Sequence, residues 1–216
     1  MVVAASRQAG QGTKCRGGGR VERGDLAGLE KKARRARAWL VFQDESGVSQ
    51  KPPLRRTWAP KGQTPVIVHP FNWKKMSITA ALAYRWDGKR ARLYFQMKPD
   101  SYDGTSLIGF LKDLKKHFRG QPVLLIWDGL PAHRGREMQE FLAAQQDWLY
   151  VARLPGYAPD LNPVEDLWGN LKGNELANQS ADNLGEVGRA VETGMERVKQ
   201  NGQLLFGFLE HTGLSL

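Results

Sequence analysis

The first half of the chain carries short apolar runs separated by polar or proline-rich segments. The runs over residues 38–44, 76–84 and 90–97 predict three β-strands. The pair Asp87-Gly88 between the last two runs is a strong signal for a tight hairpin turn. Together, the three strands predict an antiparallel meander.

A long segment, residues 47–75, separates the first predicted strand from the second. It holds five prolines, so we expect it to be irregular, with at most one short strand over 66–69. Long irregular segments within compact domains are usually functional or disordered. This insertion is therefore a candidate binding element.

The second half of the chain changes to helical periodicity. Leu107, Leu111, Leu114 and Phe118 recur at helical spacing and predict an amphipathic helix over 104–118. The same criteria predict strands over 123–127 and 148–154, and helices over 135–146, 163–177, 183–199 and 203–210.

This order of elements predicts an α/β fold built on a five-stranded mixed sheet. Three meander strands come first, and strands with helical crossovers, which run parallel, come next. The run over 123–127 is apolar throughout, as expected of a strand covered on both faces. We therefore expect helices on both faces of the sheet.

The positive charge of the chain is concentrated at its start. The net charge is +10 over 216 residues, and residues 1–40 hold 10 Lys and Arg against 3 Asp and Glu. This length and charge predict one domain with a polyanionic partner such as nucleic acid. We expect a disordered basic segment over 1–37, a globular domain over 38–200 and a helical tail over 201–216.

The sequence also excludes several classes of protein. No apolar run is long enough to span a membrane. Cys15 is the only cysteine, which excludes an intramolecular disulfide framework and a cysteine-rich zinc site. We therefore expect a protein of a reducing, cytoplasmic compartment without a membrane partner.

Three acidic residues occupy positions where this layout brings them together. Asp44 closes the first predicted strand, Asp128 follows the fourth, and Glu165 begins the helix after the fifth. Clustered carboxylates repel one another unless a cation lies between them, and oxygen ligands select Mg²⁺ or Mn²⁺. Two such ions about 3.5–4 Å apart suit phosphodiester cleavage.

Each of these residues also has a purely structural interpretation. An Asp after an apolar strand often only starts a turn. Asn162, Pro163 and Glu165 match the first positions of a capped helix, in which the Glu bonds back to the cap and needs no metal. Three carboxylates at three such positions favour the shared site.

Four segments together resemble bacterial insertion-sequence transposases of the mariner-like superfamily. The most specific is the tyrosine-x-proline-x-leucine-asparagine-proline-x-glutamate-x-x-tryptophan motif of residues 157–168. The other three segments are 43–47, 56–63 and 127–133. The resemblance covers roughly residues 38–200.

The resemblance implies an RNase H-like fold and a catalytic triad of Asp44, Asp128 and Glu165, which would also hold Mg²⁺, with Mn²⁺ as a substitute and two ions expected. The implied reaction is cleavage of DNA at transposon ends, followed by attack of the freed 3′-hydroxyl on target DNA. It also implies a homodimer on nucleoid DNA. Because residues 1–37 cannot form two helix-turn-helix modules, we expect a separate helix-turn-helix polypeptide as a further partner.

Several basic side chains are candidate DNA contacts. They are Arg55, Arg56, Lys61, Lys74 and Lys75 in the insertion, with His133 and Lys172 near the triad. The alternatives are a hairpin packed on Trp58, a structural hydrogen bond for His133 and an ordinary surface role for Lys172. Glu45 should point to the strand face opposite Asp44, so we do not expect it to bind metal.

Two other functions remain open from the sequence. One is a different RNase H-like nuclease, such as a junction resolvase, although the leucine-asparagine-proline-x-glutamate motif argues against it. The other is a non-catalytic DNA-binding remnant of a transposase, although all three carboxylates are present.

Overall fold

The structure, a computed structural model, describes residues 26–68, 74–155 and 158–216. Its helices are α1 (Leu26–Ala36), α2 (Gly104–Phe118), α3 (Arg136–Ala143), α4 (Pro163–Asn174), α5 (Leu184–Lys199) and α6 (Gly202–His211). Its strands are β1 (Trp39–Ser49), β2 (Lys75–Tyr84), β3 (Ala91–Lys98), β4 (Val123–Trp127) and β5 (Leu149–Arg153). Short 3₁₀ turns cover Pro131–His133 and Pro159–Leu161.

The five strands form one mixed sheet in the order β3-β2-β1-β4-β5. β1, β2 and β3 pair antiparallel, whereas β4 pairs parallel with both β1 and β5. The predicted fold class is therefore confirmed. Because β1, β4 and β5 are parallel, their carboxyl ends lie at the same edge of the sheet.

β1 is longer than predicted, and Asp44 lies within it rather than at its end. Its parallel pairing with β4 ends at Phe42 opposite Ile126, but its antiparallel pairing with β2 continues to Ser49. β2 satisfies the backbone of the extra residues, which is why the strand does not stop at Asp44. Asp44 therefore stands just beyond the end of the β1–β4 pairing.

Apolar side chains cover both faces of the sheet, as predicted. One core lies against α2 and α3, and it includes Val41, Leu125 and Phe118. The other lies against α1, α4, α5 and α6, and it includes Phe42 and Ile126. Neighbouring residues of β1 and of β4 alternate between the two cores, as the strand period requires.

The prediction of disorder over 1–37 is wrong for residues 26–36, which form α1. Leu29 and Ala33 lie four positions apart on one face of this helix and are buried in the core. The two apolar positions were obscured by the basic run around them. Residues 1–25 lie outside the described part of the chain.

The predicted tail over 201–216 is helical, but it belongs to the domain. Leu205, Phe208 and Leu209 of α6 are buried in the core on the α4 face of the sheet. The Tyr84 hydroxyl in β2 donates a hydrogen bond to the Leu205 carbonyl, with an O···O distance of 2.8 Å. The boundary predicted at residue 200 therefore separates no independent unit.

The insertion leaves β1 after Ser49 and returns at β2, and residues 51–68 form neither helix nor strand. The strand predicted over 66–69 is absent at residues 66–68, and His69 and Trp73 lie outside the described residues. Trp58 is 100% exposed, so the alternative of a hairpin packed on this side chain is wrong. We call residues 51–68 the arm.

The base of the arm is fixed to the loop between α4 and α5. The Arg55 backbone N–H donates to the Asn178 side-chain oxygen and the Arg55 carbonyl accepts from the same amide, both at 2.9 Å. The Ser180 hydroxyl donates to the Val68 carbonyl at 2.6 Å.

None of the described helices is long and apolar enough to cross a membrane.

Candidate active site

A cavity of about 690 Å³ opens at the carboxyl edge of the parallel strands. The three acidic residues singled out from the sequence line it together: Asp44 from β1, Asp128 from the end of β4 and Glu165 from the first turn of α4. The topology explains this convergence, because the carboxyl ends of β1, β4 and β5 lie at the same edge of the sheet. A ligand of an open α/β sheet binds beyond these ends.

Asp44 is the most deeply placed of the three, with 8% of its surface exposed. The Trp168 indole N–H on α4 donates a hydrogen bond to Asp44 Oδ2 at 2.9 Å. Burial and the charge of Glu165 outweigh this bond and raise the pKa of Asp44 to about 7. Without a cation, the site therefore disfavours the charged form of this carboxylate.

Asp128 follows β4 directly and lies in a loop rather than in the sheet. Its Oδ1 atom accepts a hydrogen bond from the Leu130 backbone N–H at 3.0 Å and lies 2.9 Å from Nδ1 of His133. Partial burial alone would raise the pKa of Asp128, but these two contacts and the charge of His133 bring it below its ordinary value. Asp128 is therefore held in its charged form.

Glu165 is positioned by the start of α4. Asn162 caps the helix by accepting a hydrogen bond from the Val164 N–H at 3.2 Å, and Pro163 takes the first helical position. Within the described part of the chain, the Glu165 carboxylate makes no hydrogen bond or ion pair. The alternative in which Glu165 bonds back to the cap is therefore wrong, and its charge faces the cavity.

The chemistry of these donors fits a hard divalent cation. Three carboxylates share one cavity, two of them have one oxygen fixed by the protein, and the pKa of Asp44 is raised partly by the charge of Glu165. Among the described residues, however, no group of three or more acidic, His or Cys side chains is arranged to hold a metal ion as it stands. The three carboxylates therefore share the cavity without forming an assembled metal site.

His133 does not have the exposure expected of a DNA contact. The residue is buried, and its ring stacks on Trp127 with 4.1 Å between ring centroids and 4° between ring planes. Burial alone would lower the pKa of His133, but its contacts with Asp128 and Glu45 raise it to about 9. The prediction that His133 touches a phosphate is therefore wrong in this conformation, and the structural alternative describes it.

Lys172 lies on α4 seven residues after Glu165 and does not line the cavity. Its Nζ donates a hydrogen bond to the Ser46 hydroxyl at 2.7 Å. Ser46 stands two residues after Asp44 and on the same face of β1. The other predicted DNA contacts are exposed on the arm or at the start of β2 and do not line the cavity: Arg55, Arg56, Lys61, Lys74 and Lys75.

Three residues of the site were missed in the sequence. Arg134 and Arg153 line the cavity, and Trp168 donates to Asp44. Arg153 ends β5 and pairs with Trp127 at the end of β4. Side chains at the carboxyl ends of parallel strands meet at one edge of the sheet, so the sequence could have indicated Arg153 as it did Asp44 and Asp128. The role of Trp168 could not be found, because it requires the packing of α4 on β1.

Comparison with known proteins places the domain in a family. The family described as DDE superfamily endonuclease matches residues 39–187, more than half of the chain. A protein from Shigella sonnei, the "Insertion element IS630 uncharacterized 39 kDa protein", is 27% identical over 160 residues. That match covers 74% of this chain but only 45% of the relative, so the chain spans less than half of its length.

Solved structures of Mos1 transposase have a similar fold. The paired-end complex with left transposon end gives a TM-score of 0.63 at 15% identity, covering 96% of this chain and 63% of that one. The mariner Mos1 paired-end complex with Mg gives a TM-score of 0.62 at 16% identity, covering 98% and 66%. The Mos1 mariner paired-end complex with Mn gives a TM-score of 0.59 at 16% identity, and the match covers 88% of this chain and 59% of that one. The likeness supports the predicted RNase H-like fold.

The raised pKa of Asp44 predicts a pH-dependent effect of the Asp44→Asn substitution on stability. The folded-state pKa is about 7 and the ordinary value is 3.8, so the charged carboxylate lowers stability as pH rises through this interval. In metal-free buffer at pH 8, the variant should have a free energy of unfolding larger by roughly 2–4 kcal/mol. At pH 4 the two proteins should be nearly equal.

Urea unfolding with EDTA at both pH values measures this difference. Asp100→Asn, at an exposed position after β3, is a matched control that should change stability by less than about 0.5 kcal/mol. An equal effect of Asp44→Asn at pH 4 and pH 8 would contradict the electrostatic account of this site.

Proposed function

The chain belongs to the DDE superfamily endonuclease family, and on that premise we propose that it is the catalytic domain of a transposase that cleaves and joins DNA. The observation that carries this proposal is the meeting of Asp44, Asp128 and Glu165 in one cavity. In the hydrolytic step, water adds to phosphorus as the bond to the 3′ oxygen breaks. The products are a 3′-hydroxyl and a 5′-phosphate. That hydroxyl then attacks a phosphodiester of target DNA, so that a new bond to phosphorus forms as the bond to the target's 3′ oxygen breaks and a target 3′-hydroxyl is released.

We propose that the three carboxylates hold Mg²⁺, with Mn²⁺ as a substitute and two ions as the expected number. The Mos1 complexes with Mg and with Mn support this choice, as does the oxygen-only donor set. Bound ions would stabilise charge on the phosphate and lower the pKa of the attacking water.

The protein's own residues prepare the site before metal arrives. Trp168 fixes Oδ2 of Asp44 through a hydrogen bond from its indole N–H. Asn162 and Pro163 set the first turn of α4, from which Glu165 projects. Each carboxylate therefore approaches the cavity from a separate, fixed element.

We propose two groups of DNA contacts. Arg134 and Arg153 line the cavity, so they suit the phosphates nearest the cleaved bond. Lys172, which donates to Ser46 on β1, is a further phosphate contact that we propose. Arg55, Arg56 and Lys61 are exposed on the arm and, with Lys74 and Lys75 at the start of β2, suit more distant phosphates. The net charge of +10 favours the same partner.

The arm also supports a homodimer on DNA. Four apolar side chains are exposed along it: Leu54 (75%), Trp58 (100%), Val66 (82%) and Val68 (79%). Apolar side chains collected on one exposed segment indicate a surface that a partner covers. A second copy of this chain, engaged on the same DNA, is the partner that we propose.

The source of end recognition is a separate proposal. We propose that sequence-specific binding of transposon ends comes from a separate helix-turn-helix polypeptide, since the described residues form the α/β fold that carries the acidic cavity. A protein that acts on chromosomal DNA in this way would be associated with the nucleoid of a bacterial cell.

The proposed activity predicts nicking of supercoiled plasmid DNA in the presence of Mn²⁺. Wild-type protein should convert plasmid to the open circular form, and Asp128→Asn should reduce the rate by at least about 100-fold, because a metal-binding charge is lost. Plasmid avoids the need for a known transposon end, and gel electrophoresis follows the reaction.

The matched control is Asp147→Asn, which alters an exposed carboxylate on a loop that does not line the cavity. It should nick at the wild-type rate. Equal nicking by wild type and Asp128→Asn would show that the activity does not come from this site. Binding of plasmid without nicking by wild type would favour a non-catalytic remnant, or a catalytic part that needs its end-binding partner.

The arm predicts a change in the salt dependence of DNA binding. Replacing both Arg55 and Arg56 with Ala should weaken DNA binding. The slope of log affinity against log salt concentration should also become shallower by about 2, since each phosphate contact contributes about 0.9 to that slope. Fluorescence anisotropy with a labelled duplex measures this slope. Replacement of Lys89 and Arg90, exposed at the opposite end of the sheet, is the control. An unchanged slope in the arm variant would contradict these contacts.

A further inference from the structure

The two neighbouring acidic residues of β1 face opposite sides of the sheet. Asp44 faces α4, where Trp168 holds it, whereas Glu45 faces the side covered by α2. On that side, Glu45 Oε1 accepts a hydrogen bond from Gln43 Nε2 at 2.6 Å, and Gln43 Nε2 also donates to the Thr79 hydroxyl at 2.9 Å. Glu45 is thus fixed, but it does not line the cavity.

His133 joins this fixed carboxylate to Asp128. Its Nε2 atom lies 3.5 Å from Oε1 of Glu45, and its Nδ1 atom lies 2.9 Å from Oδ1 of Asp128. Trp127 stacks against the ring and fixes its plane. Nδ1 also lies 3.2 Å from the backbone carbonyl oxygen of Asp128. Because a carboxylate and a carbonyl oxygen only accept hydrogen bonds, Nδ1 carries a proton and is the donor toward Asp128.

We propose that His133, held by Glu45, is a positioning residue that fixes the carboxylate of Asp128 for metal binding. This inference rests on the proposed function of the cavity. His133 itself does not line the cavity and therefore acts only through Asp128.

Asp128 needs such support more than Asp44 does. Asp44 lies within a strand that is paired along its length with β2, whereas Asp128 lies beyond the last residue of β4, and 38% of its side chain is exposed. The Leu130 N–H donates to Oδ1, and Nδ1 of His133 lies 2.9 Å from the same oxygen and 3.2 Å from the Asp128 backbone carbonyl oxygen. These contacts leave Oδ2 without a hydrogen bond to the described residues, so that oxygen is available to a cation.

The position of each ring nitrogen provides a sharp test. The side-chain amide nitrogen of Asn approximates Nδ1 of His, so His133→Asn can keep the bond to Asp128. The amide nitrogen of Gln approximates Nε2, so His133→Gln can keep only the contact with Glu45. Both variants are polar and close to His in size. If His133 were purely structural, the Asn variant would therefore not be expected to bind metal more tightly than the Gln variant.

The experiment measures Mn²⁺ affinity from the electron paramagnetic resonance signal of free Mn²⁺, without DNA and without turnover. Loss of an outer partner of a metal ligand typically weakens affinity by about 10–100-fold. We expect His133→Asn to bind Mn²⁺ within about 3-fold of wild type and His133→Gln to bind about 10-fold or more weakly. Melting temperatures in EDTA report any general loss of folding.

Glu45→Ala tests the second half of the inference. Nε2 of His133 makes no hydrogen bond to the described residues, and its polar contact is the ion pair with Glu45 at 3.5 Å, so removing this carboxylate takes away one of the two polar anchors of the ring. We expect Mn²⁺ affinity to fall by about 3- to 10-fold, although Glu45 is not a metal ligand. Wild-type affinity in this variant would overturn the role of Glu45.

The outcomes separate this inference from the function on which it rests. If wild type binds Mn²⁺ but the Asn and Gln variants bind equally well, the positioning role is wrong and the metal site stands. If affinity falls only in proportion to melting temperature, His133 is structural and the inference fails. If wild type does not bind Mn²⁺, the proposed metal site and the positioning role both fail.

Discussion

The site depends on the burial of one carboxylate, Asp44, beside a second, Glu165, that the fold brings into the same cavity. Asp44 is buried on a strand that continues past its parallel neighbour, and α4 carries Glu165 to the same cavity. Burial is the largest cause of the raised pKa of Asp44, and the charge of Glu165 adds to it. The Trp168 hydrogen bond offsets only part of this cost, since the pKa of Asp44 still lies at about 7. The remaining electrostatic cost is what a divalent cation would remove.

The strand period then explains how the support of the site is divided. Neighbouring residues of β1 face opposite layers of helices, so Asp44 contacts α4 while Glu45 contacts the turn that carries His133. The layer that contains α4 holds Asp44 directly through Trp168. The second layer holds Asp128 through an intervening imidazole. One short stretch of β1 thereby orients two carboxylates from two sides of the sheet.

Much of this architecture could be predicted from hydrophobic periodicity. All five strands and the helices from α2 to α6 were located, with the ends of these helices within three residues of the structure. The extension of β1 beyond Asp44 could not be predicted, because it depends on pairing with β2 rather than on local preference. α1 was missed because Leu29 and Ala33 are few among many basic residues. The contacts of Trp168 and His133 depend on tertiary packing that no local pattern records.

We propose that Asp44 and Glu165 together require a divalent cation. The change in melting temperature on adding Mg²⁺ at pH 8 to wild type, Asp44→Asn and Glu165→Gln measures this requirement. A ligand that binds only the folded state stabilises it. We expect a clear rise in the melting temperature of wild type and a much smaller rise in both variants. An equal rise in all three proteins would contradict this proposal, because the ion would then bind elsewhere.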